Sequence, residues 1–122
     1  MGRILVADDE ADVVRTVTKA LEARGHTITI ARDGAEAIAA VAENRPDLLV
    51  IDLAIPKIDG AEVARRLKAD PATRAVPILM MSASYLAMEA VAEGQGADEF
   101  VVKPFLRDTL VKQVERLLAK RA

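Results

Sequence analysis

The chain has 122 residues, 52% of them hydrophobic, a length and apolar content that suit one domain with one core. The absence of cysteine excludes a disulfide framework and a thiolate metal site, and fits a reducing cytoplasm. The formal net charge of -2 supplies no basic field for nucleic acid, the charged residues Arg3, Asp8, Asp9 and Glu10 argue against a signal peptide, and no apolar run approaches the ~20 residues of a membrane span.

Short apolar runs alternate with longer amphipathic ones along the chain. Arg3-Ile4-Leu5-Val6-Ala7 reads as a buried strand. Ala11 to Arg24 carries Val13, Val14, Val17, Ala20 and Leu21 at helical spacing, and Gly25 supplies the stop. Thr27 to Ala31 is β-branched and predicts the second strand. Asp33-Gly34-Ala35-Glu36 has the form of a capping box and opens a helix to about Asn44, with Pro46 closing the turn. Leu48-Leu49-Val50-Ile51 is the most apolar run and ends at Asp52, as suits a central strand covered on both faces. A loop from Leu53 to Asp59 follows, and Asp59 caps a helix containing Val63, Ala64 and Leu67 that ends at Asp70-Pro71. Pro77 to Met81 is the fourth strand, with its proline at the permitted first position. Ser84 caps a short helix striped by Leu86, Ala87, Ala90 and Val91, which stops before Gly94 and Gly96. Phe100-Val101-Val102 is the fifth strand, and Leu106, Leu110, Val114, Leu117 and Leu118 stripe the last helix.

Strands separated by helices imply an α/β fold, a parallel sheet with helices on both faces. Ligands of such a sheet bind beyond the carboxyl ends of its strands, near a topological switch point. The side chains at those ends are Asp8 and Asp9, Asp52, Ser82 and Lys103. Each has an ordinary reading: a turn or cap acid, a helix-start acid pair, a backbone-bonded hydroxyl, a surface lysine. His26, alone after a helix-ending glycine, is read as structural. Those ordinary readings are independent of one another, so five such groups at one edge call for a joint explanation. Two carboxylates ~4 Å apart repel by about 4 kcal/mol at an effective dielectric of ~20, and an all-oxygen cluster suits a hard cation, Mg²⁺ first.

Asp8-Asp9, Asp52-x-x-x-Pro56-x-x-x-Gly60, Ser82-Ala83 and Lys103-Pro104-Phe105 together resemble the CheY-like receiver domain of two-component response regulators, over essentially the whole chain, residues 1–122. The resemblance implies a single doubly wound (βα)5 domain with strand order 2-1-3-4-5. It also implies that Asp52 accepts a phosphoryl group from the phosphohistidine of a sensor histidine kinase or phosphotransfer protein. Mg²⁺ would be held directly by Asp9, Asp52 and the backbone carbonyl of Ala54, and by Asp8 through water. Lys103 would pair with a phosphoryl oxygen, Ser82 would donate its hydroxyl and move on activation, and Phe100 would occupy an aromatic switch position. Output would pass through the face formed by the fourth helix, fifth strand and fifth helix to a downstream protein or effector domain, or to a second copy as a homodimer. Neither nucleic acid nor membrane is an expected direct partner, and the expected class is a signalling domain rather than an enzyme.

The residues agree with that chemistry, because phosphoryl transfer asks for in-line positioning and charge cancellation more than covalent work by the protein. Ser82 stands where threonine is commoner in the family and Phe100 where tyrosine is frequent, while Ala54 and Ser84 are small at positions that tune phosphoryl lifetime. Removal of Asp9 is expected to abolish metal binding and to stabilise the metal-free fold. A Lys103–Pro104 cis peptide is expected from the sharp turn at that strand end. Among rivals, a flavodoxin-like nucleotide or flavin binder needs a glycine- or hydroxyl-rich loop where this chain has Asp8-Asp9-Glu10. A haloacid-dehalogenase-type phosphohydrolase needs a D-x-D pattern and a cap domain. A degenerate receiver acting only as a binding module would lack the intact acid set. The sequence is compatible with a complete single-domain regulator and with the receiver of a longer protein.

Overall fold

Every apolar run identified above becomes a strand: β1 (Arg3–Ala7), β2 (Thr27–Ala31), β3 (Leu48–Asp52), β4 (Ile78–Ser82) and β5 (Glu99–Val102). Between and after them lie α1 (Ala11–Glu22), α2 (Gly34–Glu43), α3 (Gly60–Ala69), α4 (Tyr85–Gly94) and α5 (Arg107–Arg121). The structure, a computed structural model, describes residues 2–94 and 96–121, the side chains of 90–94 and 121 excepted. All strand pairs are parallel and the order is β2-β1-β3-β4-β5. The chain moves outward from β1 to β2 on one side and from β3 to β5 on the other, so the switch point lies between the ends of β1 and β3.

The period of two along each strand divides the core. Leu5, Leu49, Ile51, Ile78 and Met80 face Ala37 and Val41 of α2 and Val63, Ala64 and Leu67 of α3. Ile4, Val6, Leu48, Val50, Leu79 and Met81 face Val17 and Leu21 of α1 and Leu110, Val114 and Leu117 of α5. Every residue of β3 and β4 is buried, which explains why their sequences run apolar without alternation.

Helix ends follow their signals with small shifts. α1 closes two residues before Arg24, because Gly25 takes φ +89° and His26 N–H turns back to the Leu21 carbonyl at 3.2 Å. His26 is buried as a structural residue, its Nδ1 accepting from the Gly2 N–H at 3.0 Å. Asp33 caps α2 by accepting from Glu36 N–H at 2.8 Å, but Glu36 reaches back to the N–H of Arg32 rather than that of Asp33. Asp59 and Ser84 cap α3 and α4 through Glu62 N–H and Ala87 N–H.

Two expected stripe residues are not buried. Leu86 and Leu106 are each 76% exposed. Met88 is the buried residue of α4 instead, while the side chains of Ala90 and Val91 lie outside the described residues. Leu106 precedes α5, where its carbonyl accepts from Leu110 N–H, so it projects from the entry turn rather than from the helix face. Among the described residues no helix is long and apolar enough to cross a membrane.

Candidate functional site

Backbone bonds beyond the strands bring their carboxyl ends into line. Asp8 N–H donates to Ala31 O, Leu53 N–H to Met81 O, and Lys103 N–H to Ser82 O, at 3.1, 2.8 and 2.8 Å. Asp8, which follows β1, is wholly buried, and its Oδ1 accepts from Glu10 N–H at 2.9 Å. Asp52, at the end of β3, is 5% exposed, and its Oδ1 accepts from Ala54 N–H at 3.2 Å. Both acids keep Oδ2 for Lys103, which enters from β5 through a cis Lys103–Pro104 bond. Lys103 Nζ lies 2.8 Å from Asp8, 2.9 Å from Glu10 and 3.1 Å from Asp52.

Ligand-capable oxygens of Asp8, Glu10 and Asp52 all lie within 4.8 Å of one another. Three carboxylates that close repel by several kcal/mol per pair, about 3–4 at an effective dielectric of ~20, and one ammonium cancels only part of that charge. Burial pushes the Asp8 carboxyl above its ordinary value against the lowering bonds from Lys103 and Glu10 N–H, and the Asp52 charge adds to the rise. Burial alone would lower the Lys103 ammonium, but bonds to Asp8, Glu10 and Asp52 outweigh it and hold the group charged. The constellation therefore favours positive charge at its centre. Its donors are all hard oxygens, the set that suits an alkaline-earth ion.

The family model for the response regulator receiver domain matches residues 4–115, a span that contains every one of these side chains. The chain belongs to this family. As a receiver domain it has a signalling role in two-component response regulators. It is 39% identical to the transcriptional regulatory protein PrrA of Mycobacterium tuberculosis over 120 residues, 98% of this chain and 51% of that protein. It is 38% identical to the response regulator MprA of Mycobacterium ulcerans over 119 residues, 97% of this chain and 50% of that one. The chain thus spans about half the length of these curated relatives. The structure of the Francisella response regulator 1452 receiver domain matches with a TM-score of 0.90 at 28% identity, covering 100% of both chains. The chemotaxis response regulator CheY4 of Vibrio cholerae matches with a TM-score of 0.88 at 28% identity, covering 96% of this chain and 98% of that one.

Of the residues expected at the receiver site, the fold gathers Asp8, Asp52 and Lys103 directly. Asp9 is exposed and outside the described carboxylate group, while Glu10 stands inside it. The chain bends at Asp9, and Glu10 N–H donates back to Asp8 Oδ1, which sets the Glu10 carboxylate beside Lys103. An acid two residues after Asp8, within reach of a turn closed on the Asp8 carboxylate, is the signal by which Glu10 could have been found. Ser82 is buried at the end of β4, and its described hydrogen bonds go to Ser84: Ser84 N–H donates to Oγ at 3.0 Å and Oγ to the Ser84 carbonyl at 3.2 Å. Phe100 pairs in register with Met80 and packs, partly buried, on the α2–α3 side of the sheet. Its carbonyl accepts from Gln113 Nε2 at 2.9 Å.

Proposed function

We propose that Asp52 is the phosphoacceptor of this receiver, taking the phosphoryl group from a phosphohistidine on a sensor histidine kinase or phosphotransfer protein. The observation that carries this reading is the Asp52 Oδ2–Lys103 Nζ pair at 3.1 Å, made at the buried end of the central strand by a lysine 51 positions away in sequence. A carboxylate oxygen of Asp52 attacks phosphorus, the N–P bond breaks, and the imidazole leaves with the bonding electron pair. Asp52 Oδ1 is held by Ala54 N–H and Oδ2 by Lys103 Nζ, so Oδ2 becomes free to attack when Lys103 turns to the arriving phosphoryl oxygens. Lys103 accepts the charge of the arriving phosphoryl oxygens once it exchanges a carboxylate partner for them. Ser82 must release Ser84 to offer its hydroxyl, and that release is the first local change expected on activation.

Asp9, Asp52 and the Ala54 carbonyl would hold Mg²⁺, with Asp8 acting through water. The ion supplies charge neutralisation for the transferred group. The all-oxygen group of Asp8, Glu10 and Asp52 and its excess of acids over ammonium support a hard cation, while Asp9 enters from the receiver pattern alone. The domain modifies its own side chain and is a switch rather than a turnover enzyme. A cleft lined by Val13, Thr16, Ala83, Pro104 and Phe105 beside Glu10 and Lys103 offers a kinase or phosphotransfer helix access from the α1 side. Output through the α4–β5–α5 face, with Phe100 as its aromatic switch, would reach an effector domain, a separate protein or a second copy. The acidic net charge makes nucleic acid an unsuitable direct ligand for this domain, and a kinase-fed switch belongs in the cytoplasm.

Radiolabel transfer from acetyl phosphate and from a phosphorylated histidine kinase tests the reading. Wild type is expected to take label with Mg²⁺ and to lose it in excess chelator, and Asp52→Asn, folded by circular dichroism, is expected to take none. Equal labelling of Asp52→Asn would overturn the assignment.

A further inference from the structure

The loop that follows Asp52 is fastened twice. Its stem is closed by Gly60 N–H donating to Leu53 O at 2.9 Å and by Ile55 N–H donating to Asp52 O at 3.4 Å. Its apex, Pro56-Lys57-Ile58, leans on the first residues of α2, far away in sequence. Gly34 N–H donates to Pro56 O at 3.0 Å, an oxygen that also accepts from Ile58 N–H at 2.9 Å. Lys57 takes φ +69°, a left-handed conformation uncommon outside glycine, and its Nζ lies 3.4 Å from Asp33 Oδ2. Such a conformation persists where its surroundings over-determine it. The approach is also closed sterically: a Cβ on Gly34 would lie 1.9 Å from Ile58 O and 2.7 Å from its carbonyl carbon. Only a glycine admits this contact. Asp33 meanwhile caps α2 through Glu36 N–H, so one carboxylate serves both the helix start and the loop apex.

Ala54 sits between the two fastenings. Its N–H is committed to Asp52 Oδ1, and the direction of its carbonyl is set by the chain on either side. We propose that the start of α2 is a positioning post, in which Gly34 and the Asp33–Lys57 pair hold the loop apex and thereby set the Ala54 carbonyl and Asp52 carboxylate for a divalent cation. This inference rests on the cation reading above. Gly34, Asp33 and Lys57 are positioning residues: they act through the loop and touch neither the phosphoryl group nor the ion. The post also places the edge of the molecule formed by β2 and α2 in mechanical contact with the phosphorylation loop.

The test uses the full chain and Mg²⁺ alone, with affinity read by calorimetry and the metal-free loop read by amide NMR. Gly34→Ala is expected to shift the amides of residues 54, 55, 57 and 58 before any metal is added, and to weaken Mg²⁺ binding about tenfold, the scale of lost outer-shell support. Asp33→Asn keeps a capping oxygen but loses the charge; it and Lys57→Gln are each expected to weaken Mg²⁺ about two- to threefold, as a partly exposed pair allows. The double variant is expected to be no weaker than the lower single, since the two residues act as a unit. If Gly34→Ala does not fold, the Asp33 and Lys57 variants carry the test. Lower urea stability with unchanged Mg²⁺ affinity and unchanged loop amides would make the contact merely structural and overturn the proposal. Failure of wild type itself to bind Mg²⁺ would instead overturn the cation reading, and the metal-free amide shifts would still decide whether α2 sets the loop.

Discussion

Asp8 and Asp9 are adjacent in sequence and opposite in environment. Asp8 is wholly buried against Lys103 and Asp52, whereas Asp9 is exposed. The expectation that removing Asp9 relieves the acid cluster therefore moves to Asp8. Asp8→Asn leaves Lys103 paired with Asp52 and Glu10 while deleting one of three repelling charges. It should stabilise the metal-free protein by about 1 kcal/mol in urea unfolding, a fraction of the pairwise repulsion. Asp9→Ala should change stability by less than about 0.5 kcal/mol, as for an exposed site. A destabilised Asp8→Asn would mean that its bonds to Lys103 outweigh its desolvation. Gly60, like Gly34, admits no side chain. A Cβ there would lie 2.6 Å from Asp52 O and 2.8 Å from Leu53 Cα, backbone atoms that cannot swing aside. Gly60→Ala should cost about 1–3 kcal/mol despite its better helix propensity, and urea midpoints would show it.

At the scale of elements, β5 and α5 are joined by side chains as well as by the core. Arg116 forms a bidentate pair with Glu99, and Gln113 Nε2 bonds Glu99 Oε1 and the Phe100 carbonyl. The hydrogen bond from Arg116 holds the Glu99 carboxyl below its ordinary value of 4.5, with burial opposing. A carboxyl lowered in the folded state adds stability that is present above the unfolded value and is lost as pH falls through the folded one. Glu99→Gln should therefore flatten the acid limb of the stability profile below about pH 4.5 and change stability at pH 7 by no more than about 1 kcal/mol. An unaltered acid limb in denaturant titrations would show that the pair contributes nothing to folding. Element identity was legible because periodicity and caps agree locally: Asp33, Asp59 and Ser84 cap the helices their sequence positions announce. Leu86 lies exposed because periodicity states which residues share a face but not whether a neighbour covers it, and Leu106 because α5 begins one residue later, at Arg107.

For the molecule as a whole, the large apolar side chains exposed among the described residues belong to α4, β5 and the entry to α5, the proposed output face, with Ile30 on the opposite edge strand β2 as the exception. Tyr85 and Leu86 open α4, Val102 ends β5 and Leu106 precedes α5, with exposures from 38% to 76%. Beryllofluoride with Mg²⁺, a phosphoryl mimic, is expected to shift amides of Ser82, Ser84, α4 and Phe100 as well as those around Asp52. Covering one Phe100 ring or one such leucine contributes about 1.5–3 kcal/mol, comparable to the ~1–3 kcal/mol of a typical allosteric coupling. Sedimentation in the same state reads whether a second copy takes up this face. Shifts confined to residues near Asp52 would leave the α4–β5–α5 face without a switching role.

By itself the amino-acid sequence determined the elements, the (βα)5 order and the residues at the strand ends, because apolar period, capping and turn chemistry are local properties that survive any packing. Asp8, Asp52, Ser82 and Lys103 were legible for the same reason: each stands at the end of an apolar run. Tertiary structure decided which of those groups meet. Parallel register and strand order carry Lys103 to Asp8 across 95 positions of sequence and to Asp52 across 51. Packing likewise decided that Gly34 and Lys57 support the loop after Asp52, a contact set by the close approach of two backbones with no periodic or compositional signal.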